Sequence, residues 1–240
     1  MKPIARAGRR HGHEAEAFEK QCGDDEDVLS PAGGAPNRRA WERVKSLRKG
    51  DLLWISDECR TWLFMTQKVY KRSKYNGYAG ETVTHEANDR AEELAKMATF
   101  ASGRGVFVAF ETSIQSYSFK YFAVERWGER FGASRLVTYL GAFVDNPIYP
   151  KPVQLYTTLP LEAREKLKRA RPECVSTASD QLWFRDAKGT ICGNKKNMKH
   201  SQVYPAAFAT AVIEAWEDAR HKVLQRRVAR RRPSLLSITE

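Results

Sequence analysis

The chain is short of cysteine and of long apolar runs, and each shortage narrows the class of protein. Only four of the 240 residues are cysteines, and no two of them stand in a CxxC pair. This pattern argues against a zinc ribbon or a disulfide framework, and it fits a reducing compartment. No apolar run approaches the about 18 residues that a membrane span needs, and the first residues lack the apolar core of a secretory signal. We therefore expect an intracellular protein with no membrane partner.

Acidic residues are scarce relative to basic ones. The chain has 29 Asp and Glu against 41 Lys and Arg, which gives a formal net charge of +12 and a pI of about 9.6. Such a balance favours a polyanionic partner, and nucleic acid, either DNA or RNA, is the simplest one. The alternative is a basic protein, or a subunit of a ribonucleoprotein, in which the charge is incidental.

Composition and its changes along the chain predict three segments. Hydrophobic residues make up 42% of the chain and aromatic residues 11%, which is typical of a globular protein. We expect a flexible charged tail over 1–37, an α/β domain over 38–219 and a basic C-terminal extension over 220–240. His11 and His13 lie in the tail without a third ligand nearby, so no metal site is predicted.

Apolar patterns in the central segment predict alternating strands and helices. Asp51–Ser56 contains a continuous apolar run, as in a strand covered on both faces. A helix over 85–101 and a second apolar strand, Val106–Phe110, complete a βαβ unit. We expect further strands over 135–144 and 153–157, irregular structure over 173–200, and helices over 38–49, 116–131, 160–171 and after Pro205. The predicted fold class is α/β, with a partial Rossmann-like, mostly parallel sheet and helices on both faces.

Two residues stand beyond the carboxyl ends of predicted strands, where open α/β sheets hold their ligands. Cys59 follows the first strand after a short acidic turn, and Glu111 ends the second. Cys59 is either a nucleophile or an ordinary turn residue. Glu111 is either an acid of the site or a carboxylate that caps or pairs near a strand end.

Basic residues interleaved with tyrosines predict a nucleic-acid interface. In the loop over 64–80, cations can meet phosphates while tyrosine rings stack on bases. A second basic stretch follows residue 188, and residues 220–232 contain seven Lys or Arg, a run also typical of nuclear import. The alternative is a solvated loop and a solvated helix face. The candidate residues are Lys68, Tyr70, Lys71, Arg72, Lys74, Tyr75, Lys151, Lys195, Lys196, Lys199, Arg226, Arg227 and Arg230.

Four segments, in order, resemble the sequence blocks of the cytosine-C5 methyltransferase superfamily. LLWISDECRTW resembles the strand that leads to the Pro-Cys nucleophile, and VFVAFETS resembles the strand that ends in Glu-Asn-Val. YLGAFVDNPIYPKPVQLYTT resembles the block around the last two strands, and HSQVYPAAFATAV resembles the C-terminal block. The likeness covers about Asp51 to Trp216 and is closest to divergent members of the superfamily.

The resemblance implies a role for each candidate residue. Cys59 would attack C6 of a cytosine that is flipped out of its duplex. Glu111 would hold or protonate the ring nitrogen, so that C5 becomes nucleophilic towards the methyl group of S-adenosylmethionine.

The sequence departs from the family pattern in several places. Glu58 replaces the usual proline, and with Asp57 it places negative charge where we expect it to raise the pKa of the Cys59 thiol. Only 50 residues precede Asp51, and their glycine pair, Gly33-Gly34, follows no predicted strand. The cofactor-binding half of the family's sheet is therefore expected to be absent. The open edge of the first strand would then be covered by the N-terminal tail, by a protein partner or by another copy of the chain.

Three functions remain open from the sequence. The first is a degenerate methyltransferase-like protein that binds nucleic acid, and the second is an active S-adenosylmethionine-dependent cytosine methyltransferase. The third is a structural subunit of a larger assembly.

Overall fold

The computed structural model describes residues 2–17, 29, 37–56, 61–63, 82–175, 183–185, 187, 191–193 and 204–231. Six strands are present in these ranges: β1 (Leu52–Ser56), β2 (Phe107–Ser113), β3 (Ser134–Tyr139), β4 (Pro152–Thr157), β5 (Trp183–Arg185) and β6 (Ile191–Gly193). The α-helices there are α1 (Lys2–Arg10), α2 (Arg38–Ser46), α3 (Thr82–Gly103), α4 (Phe122–Phe131), α5 (Leu161–Leu167) and α6 (Ala206–Arg231). In the same ranges the helices lack any stretch with the length and hydropathy that a bilayer crossing requires.

The central sheet has four strands in the order β1-β2-β4-β3. β1 and β2 are parallel, as the predicted βαβ unit requires, whereas β4 is antiparallel to both of its neighbours. β1, β2 and β3 therefore run in one direction and β4 in the other. The α/β class is confirmed, but a mostly parallel, Rossmann-like sheet is not, because only one of the three strand pairings is parallel. Within the described ranges β1 is an edge strand with β2 as its one neighbour.

Helices cover both faces of the sheet, as predicted, because its inner strands are apolar on both sides. One face packs against α1, α5 and α6, through a core that includes Trp54, Ala109, Leu155, Phe208 and Trp216. The other face packs against α2, α3 and α4, through a core that includes Ile55, Val108, Phe110, Leu94 and Trp127. The described part of the chain thus has three layers, and the buried side chains of β1 and β2 alternate between the two cores.

The N-terminal residues differ from the predicted flexible tail. Residues 2–10 form α1, which packs against α6 with Ile4, Ala5 and Ala7 buried. The two histidines that follow α1 both contact Glu217 of α6, His13 through Nε2 at 2.6 Å and His11 through Nδ1 at 3.3 Å. The sequence does not reveal this buried face, because α1 has few apolar residues and basic residues stand at both of its ends. At the other end of the chain, the predicted extension from 220 continues α6 as far as Arg231.

The remaining element boundaries shift by a few residues from those predicted. Glu111 lies within β2, two residues before its end, and not after the strand. The predicted helix over 116–131 is a 3-10 turn followed by α4, which ends at Gly132 in the left-handed conformation. The predicted third strand stops at Tyr139 and continues as a 3-10 turn. In the region expected to be irregular, β5 and β6 form an antiparallel pair.

Candidate functional site

Ser56 and Glu111 lie side by side near the carboxyl ends of the two parallel strands. They are register partners in the β1–β2 pair. Strand alternation points both side chains to the α6 face, the face that also contains Trp54 and Ala109. The two strands are adjacent and parallel, as the predicted approach of Cys59 to Glu111 requires, but Cys59 lies outside the described residues and the approach stays a prediction.

Glu111 is held by two hydroxyl groups. The Ser56 Oγ donates a hydrogen bond to Glu111 Oε2 at 2.8 Å, and the Tyr204 hydroxyl donates to the same oxygen. The two hydroxyl oxygens are themselves 3.1 Å apart. Within the part of the chain that the structure describes, neither hydroxyl bonds to Oε1, so this oxygen remains available for another contact. We call Ser56, Glu111 and Tyr204 the acid triad.

Tyr204 reaches the sheet because it lies two residues before the start of α6. Its ring stacks on Phe208, one turn into the helix, with ring centroids 5.7 Å apart and an interplanar angle of 16°. Part of the Tyr204 residue stays exposed, while its hydroxyl is buried against Glu111. Phe208 is fully buried and also packs edge-on against Trp54, so the start of α6 is fixed relative to β1.

Lys151 adds a positive charge beside the acid triad. Its ammonium lies 5.5 Å from the centroid of the Tyr204 ring. The residue has a φ of +40°, an unusual backbone conformation for a side chain of this type. Its charge lowers the pKa of Glu111. Of the predicted nucleic-acid residues, Lys151 is therefore one that the fold brings to the candidate acid.

Burial is the main influence on the protonation of this site. Glu111 is only 7% exposed, and its burial raises the pKa of the carboxyl because the charged form loses its hydration. The two hydroxyl donors and Lys151 lower that pKa, but they only partly offset the burial. Burial and the neighbouring Glu111 raise the pKa of Tyr204 well above its usual range, so the phenol stays a neutral donor.

The hydrogen-bond pattern places the proton of a neutral Glu111. Because Oε2 already accepts two hydrogen bonds, the acidic proton belongs on Oε1. In that form the side chain presents a hydrogen-bond donor to whatever contacts Oε1. Burial thus favours the neutral form of Glu111, and in that form Oε1 carries the donor hydrogen.

The indole nitrogen of Trp54, on the same face of the sheet as the acid triad, is buried and lacks a hydrogen bond in the described part of the chain. The Trp54 N–H is near enough to Tyr204 to lower the pKa of the phenol, but its geometry falls short of a hydrogen bond.

Several predicted site residues cannot be placed relative to Glu111. Those outside the described residues are Cys59, Lys68, Tyr70, Lys71, Arg72, Lys74, Tyr75, Lys195, Lys196 and Lys199. Arg226, Arg227 and Arg230 lie in the last turns of α6, and the helical rise puts Arg226 about 30 Å from the start of α6. The fold therefore separates these arginines from the acid triad.

Sequence reasoning did not single out Ser56 or Tyr204 as site residues. Ser56 is the first polar residue after the apolar run of β1, which is the signal for a side chain at a strand end. Tyr204 precedes a proline at the start of a long helix, and no local pattern indicates that this helix begins over the sheet edge.

Among the described residues, no glycine with positive φ follows the carboxyl end of a strand. The glycines with positive φ in β-strand connections, Gly50, Gly105 and Gly132, precede β1, β2 and β3 and so lie at the amino ends of those strands. A nucleotide-type cofactor needs such a turn at a carboxyl end. Among the described residues no group of three or more His, Cys, Asp or Glu could hold a metal ion.

Comparison with models of protein families, with curated proteins and with solved structures found no significant match, so the geometry of the acid triad is the basis for any functional conclusion.

Proposed function

We propose that this chain is a methyltransferase-like α/β protein that binds nucleic acid and receives one unstacked base against Glu111. The observation that supports this most is the acid triad itself. A carboxyl group that is buried, held at one oxygen and available at the other is suited to a neutral ligand group with an acceptor atom. The ring nitrogen N3 of cytosine is such an acceptor, and proteins read extruded bases through hydrogen bonds to this edge.

The charge of the chain supports the same partner. A net charge of +12 favours a polyanion, and Lys151 lies beside the acid triad, where a phosphate next to an unstacked base would need a cation. The parallel β1–β2 pair, with Ser56 opposite Glu111, is the arrangement that the family resemblance requires.

Substitution of Glu111 tests the base site. Glu111→Gln places an amide in the same position, so its oxygen can accept from Ser56 and Tyr204 while its nitrogen donates to the base. We expect Glu111→Gln to bind a single-stranded oligonucleotide with one central cytosine about as tightly as wild type, and Glu111→Ala to bind it about tenfold more weakly. The matched control is the same oligonucleotide with an abasic site, which both variants should bind as wild type does.

The pH dependence gives a second reading of the same experiment. The neutral acid is the form that donates, so wild-type affinity for the cytosine oligonucleotide should be highest at low pH. It should fall as the pH rises through the raised pKa of Glu111. Glu111→Gln should lose this pH dependence. If Glu111→Gln weakens binding as much as Glu111→Ala does, the neutral acid is not the form of Glu111 that binds the base.

A second candidate function is catalysis at cytosine, which chain connectivity favours. Cys59 is three residues after Ser56 in the sequence, and the family resemblance gives it the role of nucleophile. A thiolate that adds to C6 would let C5 take a proton from solvent, and loss of the other C5 proton followed by departure of the thiolate would restore the base. Deuterium exchange at cytosine C5 in heavy water, lost in Cys59→Ser, would support this function, and its absence in wild type would exclude it.

A further inference from the structure

Cations and aromatic rings form a connected cluster on the outer face of α2 and α3. The rings of Trp41 and Phe100 meet edge to face with centroids 5.8 Å apart. The Lys45 ammonium lies 5.9 Å from the Trp41 centroid, and the Arg104 guanidinium carbon lies 5.4 Å from the Phe100 centroid. Arg104 also donates to the Lys45 carbonyl, and Lys49 packs beside Gly105. We call Trp41, Lys45, Lys49, Phe100 and Arg104 the α2–α3 surface.

Among the described residues, no acid neutralises the positive charge of this surface through a salt bridge. Lys45, Lys49 and Arg104 are exposed, and none of them makes a salt bridge to an acid within the described ranges. Nearby cations do have such partners, since Arg43 contacts Glu16 at 2.8 Å and Lys96 contacts Glu93 at 3.3 Å. Three cations around two rings thus remain available to an anion.

The aromatic pair is both accessible and held in place. Phe100 is 36% exposed. Trp41 is half-buried, and its indole nitrogen donates to Glu93, a carboxylate that is itself 3% exposed. A ring fixed in this way loses little conformational entropy when a flat ligand stacks on it.

The outer face of α4 provides a contrast within the same molecule. Arg126 lies 5.8 Å from the centroid of Phe122, a ring that is 45% exposed, and Arg130 lies 5.4 Å from the centroid of Phe131. Glu125 and Glu129 alternate with these arginines along the helix, so the cations and the acids balance. The combination of rings and cations is similar, but the net positive charge is missing.

We propose that the α2–α3 surface binds single-stranded nucleic acid, with its cations on phosphates and its aromatic pair against bases. Unneutralised cations next to accessible rings are what a single strand requires, because every base has a flat face and every linkage has a charge. This proposal shares one premise with the proposed function, namely that the chain binds nucleic acid. The surface itself lies beside Gly50 and Gly105, at the amino ends of β1 and β2, six residues or about 20 Å of strand away from Ser56.

Fluorescence anisotropy with a labelled oligothymidylate and with an abasic oligomer of equal length tests the proposal. We expect Lys45→Gln combined with Arg104→Gln to weaken binding of both oligomers about tenfold, and to reduce the salt slope by about 1.4, since each phosphate contact contributes about 0.7. Phe100→Leu keeps an apolar side chain against Trp41. It should weaken oligothymidylate about fivefold or more and leave the abasic oligomer unchanged. A parallel series with oligouridylate separates RNA from DNA as the preferred strand.

Arg126→Gln combined with Arg130→Gln is the matched control, because it removes the same charge from a surface with the same kind of ring. It should bind both oligomers with little change. If the α2–α3 and α4 variants weaken binding equally, or if neither does, the α2–α3 surface is not the site and the base site at Glu111 is unaffected. If Glu111→Ala binds the cytosine oligonucleotide as wild type does while the α2–α3 variants fail, the proposed function is wrong and the α2–α3 surface stands. Absence of any binding by wild type overturns both.

Discussion

The two ends of the β1–β2 pair differ in what they bury and what they expose. At the carboxyl end Glu111 is buried and is reached by hydroxyl groups from β1 and from the start of α6. At the amino end Gly50 donates to the Gly105 carbonyl at 2.9 Å, and exposed cations surround the two turns. One end therefore lowers the cost of keeping a carboxyl group neutral, while the other end concentrates positive charge in water.

The difference follows from how α6 crosses the sheet. Its first turns place Tyr204 and Phe208 over the carboxyl end, where they remove water from Glu111. Two turns further along, Trp216 donates to the Gly50 carbonyl at 2.7 Å from inside the core, and the outer side of that turn stays open. At the carboxyl end the start of this helix thus shields Glu111, which is 7% exposed, whereas at the amino end Lys49 and Arg104 stay exposed. The acid triad and the α2–α3 surface therefore differ more in the burial of their charged groups than in the types of residue.

Removal of the Trp216 ring should cause the largest loss of stability, because it weakens the contact of α6 with the amino end of the strand pair. Trp216 is 6% exposed, packs edge-on against His13 at 4.7 Å and supports the Gly50 turn. We expect Trp216→Ala to lower the free energy of unfolding by about 3–5 kcal/mol, measured by urea denaturation. Trp216→Phe keeps most of the packing and loses the N–H, so it should cost only about 1–2 kcal/mol. A loss below about 1 kcal/mol in Trp216→Ala would mean that α6 does not hold the amino end together.

A smaller effect is expected when the carboxyl end loses one hydroxyl. Tyr204→Phe keeps the stacking on Phe208 but removes a donor to Glu111, and we expect a loss of about 1 kcal/mol of stability. The removed hydrogen bond lowers the pKa of Glu111, so that pKa should rise further in the variant. Carbon-13 NMR of the Glu111 carboxyl follows this titration directly. An unchanged or lower pKa would show that Tyr204 packs beside Glu111 without setting its protonation, and Tyr121→Phe, which removes a hydroxyl that bonds to Glu92 at 2.7 Å, is the control.

The parallel β1–β2 pair could be predicted from the sequence, because its apolar pattern is local. Two continuous apolar runs separated by a helix define a parallel pair, and Glu111 was predicted near its carboxyl end. The antiparallel position of β4 between β2 and β3 was not predicted, since strand order depends on pairings between residues far apart in the chain. The same reason explains Tyr204, which is 93 residues from its partner Glu111.

Charge was easier to count in the sequence than to locate. The net charge of +12 is a property of composition, and the sequence locates it only where basic residues are close together in the chain. The α2–α3 surface was missed because its cations come from two helices, with Lys45 and Arg104 59 residues apart. The buried face of α1 was missed for a related reason, since only its contact with α6 distinguishes it from a basic tail.

The smallest expected effect is the change in protein stability when the α2–α3 surface loses its charges. Lys45 and Arg104 are exposed and hold no acid partner in the described ranges, so their charges contribute little to folding. We expect Lys45→Gln combined with Arg104→Gln to change the free energy of unfolding by no more than about 0.5 kcal/mol. At low salt the double variant should be slightly more stable than wild type, because like charges around the Gly50 and Gly105 turns repel one another. A loss of more than about 1.5 kcal/mol in urea denaturation would mean that the Arg104 contacts to Phe100 and to the Lys45 carbonyl fasten α2 to α3. The cations would then serve the fold, and the two ends of the strand pair would differ less in function than their exposure indicates.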